Sequence, residues 1–152
     1  MKDEGNASGN VRIVYHRSGF ESSAGHQVRS KLEASVCEWL MRNRIAHRHG
    51  SEIFTVRIGG TGVPTVYVPD IVLHDHDAEG RTVIIEPFDA TVPRVGSTHI
   101  IAAFRREMAK NYVIIIVAKR MHAKKILKEA YDVLIDSTCL EDLEAHLPLP
   151  PD

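Results

Sequence analysis

The sequence predicts an α/β fold, a central mixed β-sheet flanked by helices. Three observations point there. From about Ala24 to Ala46 the apolar residues Val28, Leu32, Val36, Trp39, Leu40 and Ile45 recur at three and four, the spacing of an amphipathic helix. The run "YVIIIVA" at 112 to 118 is apolar at every position, as a central strand buried on both faces must be. Strand-like and helix-like stretches also alternate along the chain, which favours helices packed over one sheet.

The elements follow in order. After the first helix, "EIFTVRI" reads as a strand, "GGTG" as a turn, and "TVYVPDIVL" and "TVIIEPF" as two more strands. The last two are joined by "HDHDAEG", so an antiparallel hairpin is expected. Thr98 can cap a second helix over 99 to about 110, with Ile100, Ile101, Phe104 and Met108 on its apolar side. The buried strand comes next, then a basic helix from about Met121 to Ala130 and a short strand, "DVLID". Thr138 with Glu141 three residues on forms a capping box that opens a last helix. The predicted order is α, β, β, β, α, β, α, β, α.

A chain of 152 residues, 43% hydrophobic and 26% charged, suits a single domain over 1 to 152. Residues 1 to 10 read as a flexible arm, 24 to 147 as the α/β core, and "PLPPD" at 148 to 152 as a helix stop with a short tail. No apolar run approaches the roughly 20 residues that cross a bilayer, so no membrane partner is expected. The polar opening "MKDEGNASGN" has no secretory stretch, and Cys37 and Cys139 stand far apart with no CxxC pairing. Together these predict a cytoplasmic protein with reduced thiols and no cysteine-rich zinc site.

The formal net charge of −1 argues against a protein that simply coats nucleic acid. Its distribution is uneven. Arg105, Arg106, Lys110, Lys119, Arg120, Lys124, Lys125 and Lys128 fall in one segment against Glu107 alone, which would suit a phosphate backbone. Two solvated helix faces would produce the same pattern.

Two strand-like runs each carry an acid where an aliphatic residue would serve, Asp70 in "VPDIVL" and Glu86 in "VIIEPF". Alternation puts Val66, Val68, Asp70 and Val72 on one side with Tyr67, Ile71 and Leu73 on the other, and groups Ile84 with Glu86. If the hairpin pairs so that these sides coincide, Asp70 and Glu86 become neighbours. Two carboxylates on an apolar wall repel each other and lose hydration unless a positive charge sits between them. A hard divalent cation, Mg²⁺ or Mn²⁺, is the simplest such charge. Each acid alone also has an ordinary reading: Asp70 at a bend after Pro69, and Glu86 emerging beside Pro87. Glu33 shares a stripe of the first helix with Cys37 and Leu40, at the border of the apolar side. Ser30 and Glu33 also form S-x-x-E, a capping box if the helix starts late, but the periodicity reaching Val28 favours the earlier start.

A helix carrying an inward Glu in "SKLEASVCEWLMRNRI", a strand with "VPDIVL", a strand with "VIIEPF", a helix and a fully apolar strand together resemble the PD-(D/E)XK nuclease superfamily. The resemblance spans about residues 24 to 136. It implies a restriction-endonuclease-like α-β-β-β-α-β core and metal-dependent hydrolysis of phosphodiester bonds in DNA or RNA. It further implies Asp70 and Glu86 as ligands of Mg²⁺ (or Mn²⁺) and Glu33 as the auxiliary helical acid. The family expects a lysine two residues after the second acid, and here that position is Phe88. His99, Arg106 and Lys31 are the candidates for a migrated basic group. Arg105, Arg106, Lys110, Lys119, Arg120 and Lys124 would then face nucleic acid, and a homodimer would let such an enzyme reach both strands. The alternative is a non-catalytic nucleic-acid-binding or assembly module that keeps the fold.

Other features carry less. His74 and His76 in "HDHD" would share a strand face and could bind a transition metal, although a polar hairpin tip beside Gly80 accounts for them. "RIGGTG" lacks the spacing of a phosphate-cradling loop, and no serine or cysteine has a nucleophile's setting. His47 and His49 in "AHRHG" are expected at the solvated end of the first helix, where cations favour the dipole.

Overall fold

Side-chain alternation in four neighbouring strands builds two apolar faces, and each face is covered by a helix. The computed structural model describes residues 20–21, 27–28, 30–59, 62–90 and 97–148. The expected arm at 1 to 10 and most of the tail at 148 to 152 lie outside the described residues. Two short strands, β1 (Phe20–Glu21) and β2 (Gln27–Val28), pair antiparallel ahead of helix α1 (Lys31–Arg42). There follow β3 (His47–His49), β4 (Phe54–Ile58), β5 (Val63–Tyr67), β6 (Ile71–His76), β7 (Thr82–Phe88), helix α2 (Ser97–Met108), β8 (Tyr112–Ala118) and β9 (Val133–Asp136). The main sheet has five strands in the order β3-β6-β7-β8-β9. Antiparallel pairing joins β3 to β6 and β6 to β7, while β7, β8 and β9 run parallel, so the sheet is mixed. A separate antiparallel ribbon is formed by β4 and β5.

One face of the sheet presents Val72, Ile84, Phe88, Ile114 and Ile116 to Ile100, Ile101 and Phe104 of α2. The opposite face presents Ile71, Leu73, Val83, Ile85, Ile115 and Val117 to Val36, Trp39 and Leu40 of α1. Consecutive residues of one strand thus enter opposite cores, which is why "VIIIV" in β8 is buried throughout. The β4–β5 ribbon adds Phe54 and Tyr67 to the α2 side, where both rings meet Phe104 at centroid distances of 4.9 and 4.8 Å. Among the described residues no helix is long and apolar enough to cross a membrane.

The structure differs from several sequence expectations. Helix α1 starts at Lys31, not near Ala24: the Ser30 hydroxyl accepts from the Glu33 N–H at 3.1 Å, and Val28 belongs to a strand. The cap outweighs the apolar spacing, because it satisfies a donor that a helix start leaves open. "TVYVPDIVL" is two strands in two sheets. Pro69 has no N–H to donate to a ladder, and the chain turns at 68–70 from the ribbon into the main sheet. Tyr67 therefore packs on the α2 side rather than with Ile71 and Leu73. The basic helix at 121 to 130 is instead two 3₁₀ segments, Arg120–Lys125 and Lys128–Ala130, parted where Ile126 turns into the core. The last helix is also 3₁₀, over Leu140–His146. Its expected capping box is replaced by bonds from the Thr138 N–H and hydroxyl to Asp136, at 3.0 and 2.9 Å.

Candidate functional site

The three predicted acids are all buried, with 3% exposure at Glu33, 4% at Asp70 and 0% at Glu86. Register explains the placement of two of them. Val72 pairs with Ile84 and Ile71 with Ile85, so the next residues along, Asp70 and Glu86, meet at the end of the hairpin. The Asp70 N–H donates to the Glu86 carboxylate at 3.4 Å, and the Asp70 carbonyl accepts from the Gly50 N–H at 3.1 Å. The Tyr67 hydroxyl, arriving from the ribbon, also donates to Glu86. Glu86 thus sits between Ile84 and Phe88, on the α2 side of the sheet, as an acid whose lone pairs are met by a phenol and a backbone amide.

Glu33 lies on the other side of the sheet, on the inner face of α1, with His49 as a polar partner. The His49 Nδ1 donates to the Glu33 carboxylate at 2.8 Å. Burial pushes the His49 imidazole down to about 4, against an opposing pull from the Asp70 carboxylate. The shift favours the neutral ring, which meets the Glu33 carboxylate through its Nδ1–H. Asp70, at the bend before β6, bridges the two sides: its amide reaches Glu86, and its charge acts on His49.

His47 and His49 are the main correction at this site. They do not end α1 in solvent: they form edge strand β3, pairing with Leu73 and Ile71 of β6, and His47 is 8% exposed. Positions two apart on a strand share a face, here the α1 side, and the two rings meet edge to face with centroids 5.0 Å apart. The His47 Nδ1 donates to the Ile45 carbonyl at 2.9 Å, and its Nε2 is 3.3 Å from the Cys37 Sγ. Among the described residues, Cys37, His47 and His49 are the group of three that gathers one ligand atom each within 4.8 Å, as a metal ion requires. Glu33, Asp70 and Glu86 form no such triple. The signal available in the sequence was the alternation of Ile45, His47 and His49, together with Cys37 one turn beyond Glu33 on α1.

The expected basic groups stand elsewhere. Phe88, at the position of the expected lysine, is 6% exposed and packed in the core. Lys31, His99 and Arg106 are all exposed, and Arg106 is about 10 Å along α2 from His99. The basic segment divides between two ends of the sheet. Asn111, beyond the end of α2, accepts from the Thr82 N–H at the start of β7, so Lys110 lies at that end. Lys119 follows Ala118, which pairs with Phe88, so Lys119, Arg120 and Lys124 lie at the end carrying Glu86. The length of β8 puts roughly 20 Å or more between these groups. Arg105 is committed to Asp132 at 2.8 Å, and Arg120 reaches Asp136 at 3.4 Å. The exposed His74 and His76 end β6.

No protein family, curated protein or solved structure matches the chain.

Proposed function

We propose that the chain is a metal-dependent nuclease of the PD-(D/E)XK kind, with a restriction-endonuclease-like core, acting on phosphodiester bonds of DNA or RNA. The observation that carries this reading is the junction at Asp70, whose amide donates to Glu86 and whose carbonyl accepts from the N–H of Gly50, the neighbour of the histidine bonded to Glu33. Asp70 stands at the bend that links the Glu86 side of the sheet to the side where α1 and the edge strand carry Glu33 and His49. The oxygen donors of Asp70 and Glu86 fit a hard cation such as Mg²⁺ or Mn²⁺, which when bound would lower the pKa of water and neutralise phosphate charge. Tyr67 and the Asp70 amide hold the Glu86 carboxylate in one orientation, and Glu33 fixes the ring of His49 beside Asp70. Lys119, Arg120 and Lys124, at the same end of the sheet, supply positive charge for a phosphate backbone, and His99 starts α2 near that end.

A second reading is favoured by one observation. Phe88 is core packing where the reaction wants a cation, and Lys31, His99 and Arg106 are exposed. A non-catalytic nucleic-acid-binding or assembly module on the same fold accommodates that. Incubating the chain with plasmid DNA and with single-stranded RNA, in Mg²⁺ and in Mn²⁺, separates the two. The nuclease reading expects cleavage that chelator stops and that Asp70→Ala eliminates. The binding reading expects salt-sensitive association in which the wild type leaves the substrate intact.

A further inference from the structure

Nothing in the hydrolytic reading uses Cys37 or His47, yet these two and His49 are among the most closely gathered polar side chains of the structure. Their assembly follows from two periodicities. Cys37 is four residues beyond Glu33, so the pair occupies one face of α1, the face turned to the sheet. His47 and His49 occupy one face of β3, turned toward α1. Docking α1 over the edge of the sheet brings the thiol against His47 and near His49, with one ligand atom from each residue inside a 4.8 Å group. The Cys37 Sγ to His47 Nε2 distance of 3.3 Å is near the edge of a zinc tetrahedron, about 3.4 to 3.7 Å for bonds of about 2.1 Å to nitrogen and 2.3 Å to sulfur. The widest separation exceeds that edge by at most about 1.4 Å, a change within reach of side-chain torsions.

We propose that Cys37, His47 and His49 form a binding site for a transition metal ion of the zinc class, with Glu33 as the carboxylate that orients His49. The surrounding hydrogen bonds are those a metal-binding imidazole needs. His47 gives its Nδ1–H to the Ile45 carbonyl and His49 its Nδ1–H to Glu33, so Nε2 is the nitrogen that each ring offers. A thiolate with two imidazoles is a soft, nitrogen-rich set that prefers Zn²⁺ over Mg²⁺, so this site and an Asp70–Glu86 site would take different ions. On binding, the Cys37 S–H bond is broken heterolytically, its proton passes to solvent and the thiolate pair is donated to the metal. Three protein ligands leave the fourth tetrahedral position for a water or another oxygen donor. The ion would tie α1 to the edge strand, reinforcing the apolar packing, the Glu33 to His49 bond and the Cys37 to His47 contact that already join them.

The inference is independent of the nuclease reading, and its test does not measure cleavage. The full chain is freed of metal, titrated with Co²⁺ and followed by absorption. One equivalent is expected to bind with thiolate-to-cobalt charge-transfer absorption and the visible bands of a tetrahedral ion, both erased by one equivalent of Zn²⁺ and unaffected by excess Mg²⁺. Cys139→Ser and His74→Ala/His76→Ala should leave the spectrum whole. Cys37→Ser should remove the charge-transfer band, and Glu33→Gln should keep the band while weakening affinity about tenfold. Because Cys37 is buried, a variant there could fail to fold, so the wild type and Cys139→Ser are decisive by themselves. A wild type that binds no cobalt, or binds it without thiolate absorption, overturns the proposal, as does a band that disappears in Cys139→Ser.

Discussion

Replacing Tyr67 with Phe removes one hydroxyl and leaves the shape of the core intact, which makes it a clean probe of the acid at the centre of the fold. Tyr67 is 3% exposed and Glu86 0%, so water cannot easily replace the lost donor. Leaving a buried acceptor one partner short costs about 1–3 kcal/mol, and the loss should fall in that range. The ring keeps its contact with Phe104, 4.8 Å away, so packing contributes little to the difference. Urea unfolding followed by Trp39, the only tryptophan, reads it directly. With a slope of about 2 kcal/mol/M the midpoint should fall by roughly 1 M. A Tyr67→Phe midpoint equal to wild type would refute the assignment of the phenol as a donor to the buried Glu86.

Two further outcomes follow from local geometry. Ser30→Ala removes the acceptor for the Glu33 N–H and should lower stability by about 1 kcal/mol, measured by the same urea titration, while Ser30→Asp should recover most of it. At the hairpin turn, burial works to raise the Asp77 pKa, but bonds from the Arg81 N–H at 2.7 Å, the Arg81 Nε at 2.9 Å and the Glu79 N–H at 3.0 Å together hold it below its ordinary 3.8. The unfolded chain then binds more protons, so this contribution to stability is complete above the unfolded value and is lost as pH falls through the folded one. An NMR titration of the Asp77 carboxyl carbon should give a midpoint under 3.8, and Arg81→Ala should move it upward.

Several features were legible in the chain because they depend only on residue spacing. Ile84, Glu86 and Phe88 had to share a face, and Val113 to Val117 had to enter two cores at once, once those stretches were strands. Glu33 and Cys37 had to share a helix stripe. What resisted reading was short or depended on a partner. "HRH" is too brief to announce a strand, and it becomes one only through pairing with β6. "TVYVPDIVL" offers an unbroken apolar run, and only the competing pairings of β4 and β7 reveal that it belongs to two sheets. The helix start lay between two local signals, periodicity and a cap, and the cap prevailed once β2 paired with β1.

The one-dimensional pattern determined which residues are apolar, which strands are central, and that acids at 33, 70 and 86 interrupt otherwise buried surfaces. Tertiary packing decided their company: Tyr67 on Glu86, His49 between Glu33 and Asp70, and Cys37 against His47. The physical reason is range. Side-chain alternation is imposed by the backbone over a few residues, whereas the meeting of a helix face with an edge strand depends on how whole surfaces dock, and no local preference encodes that contact.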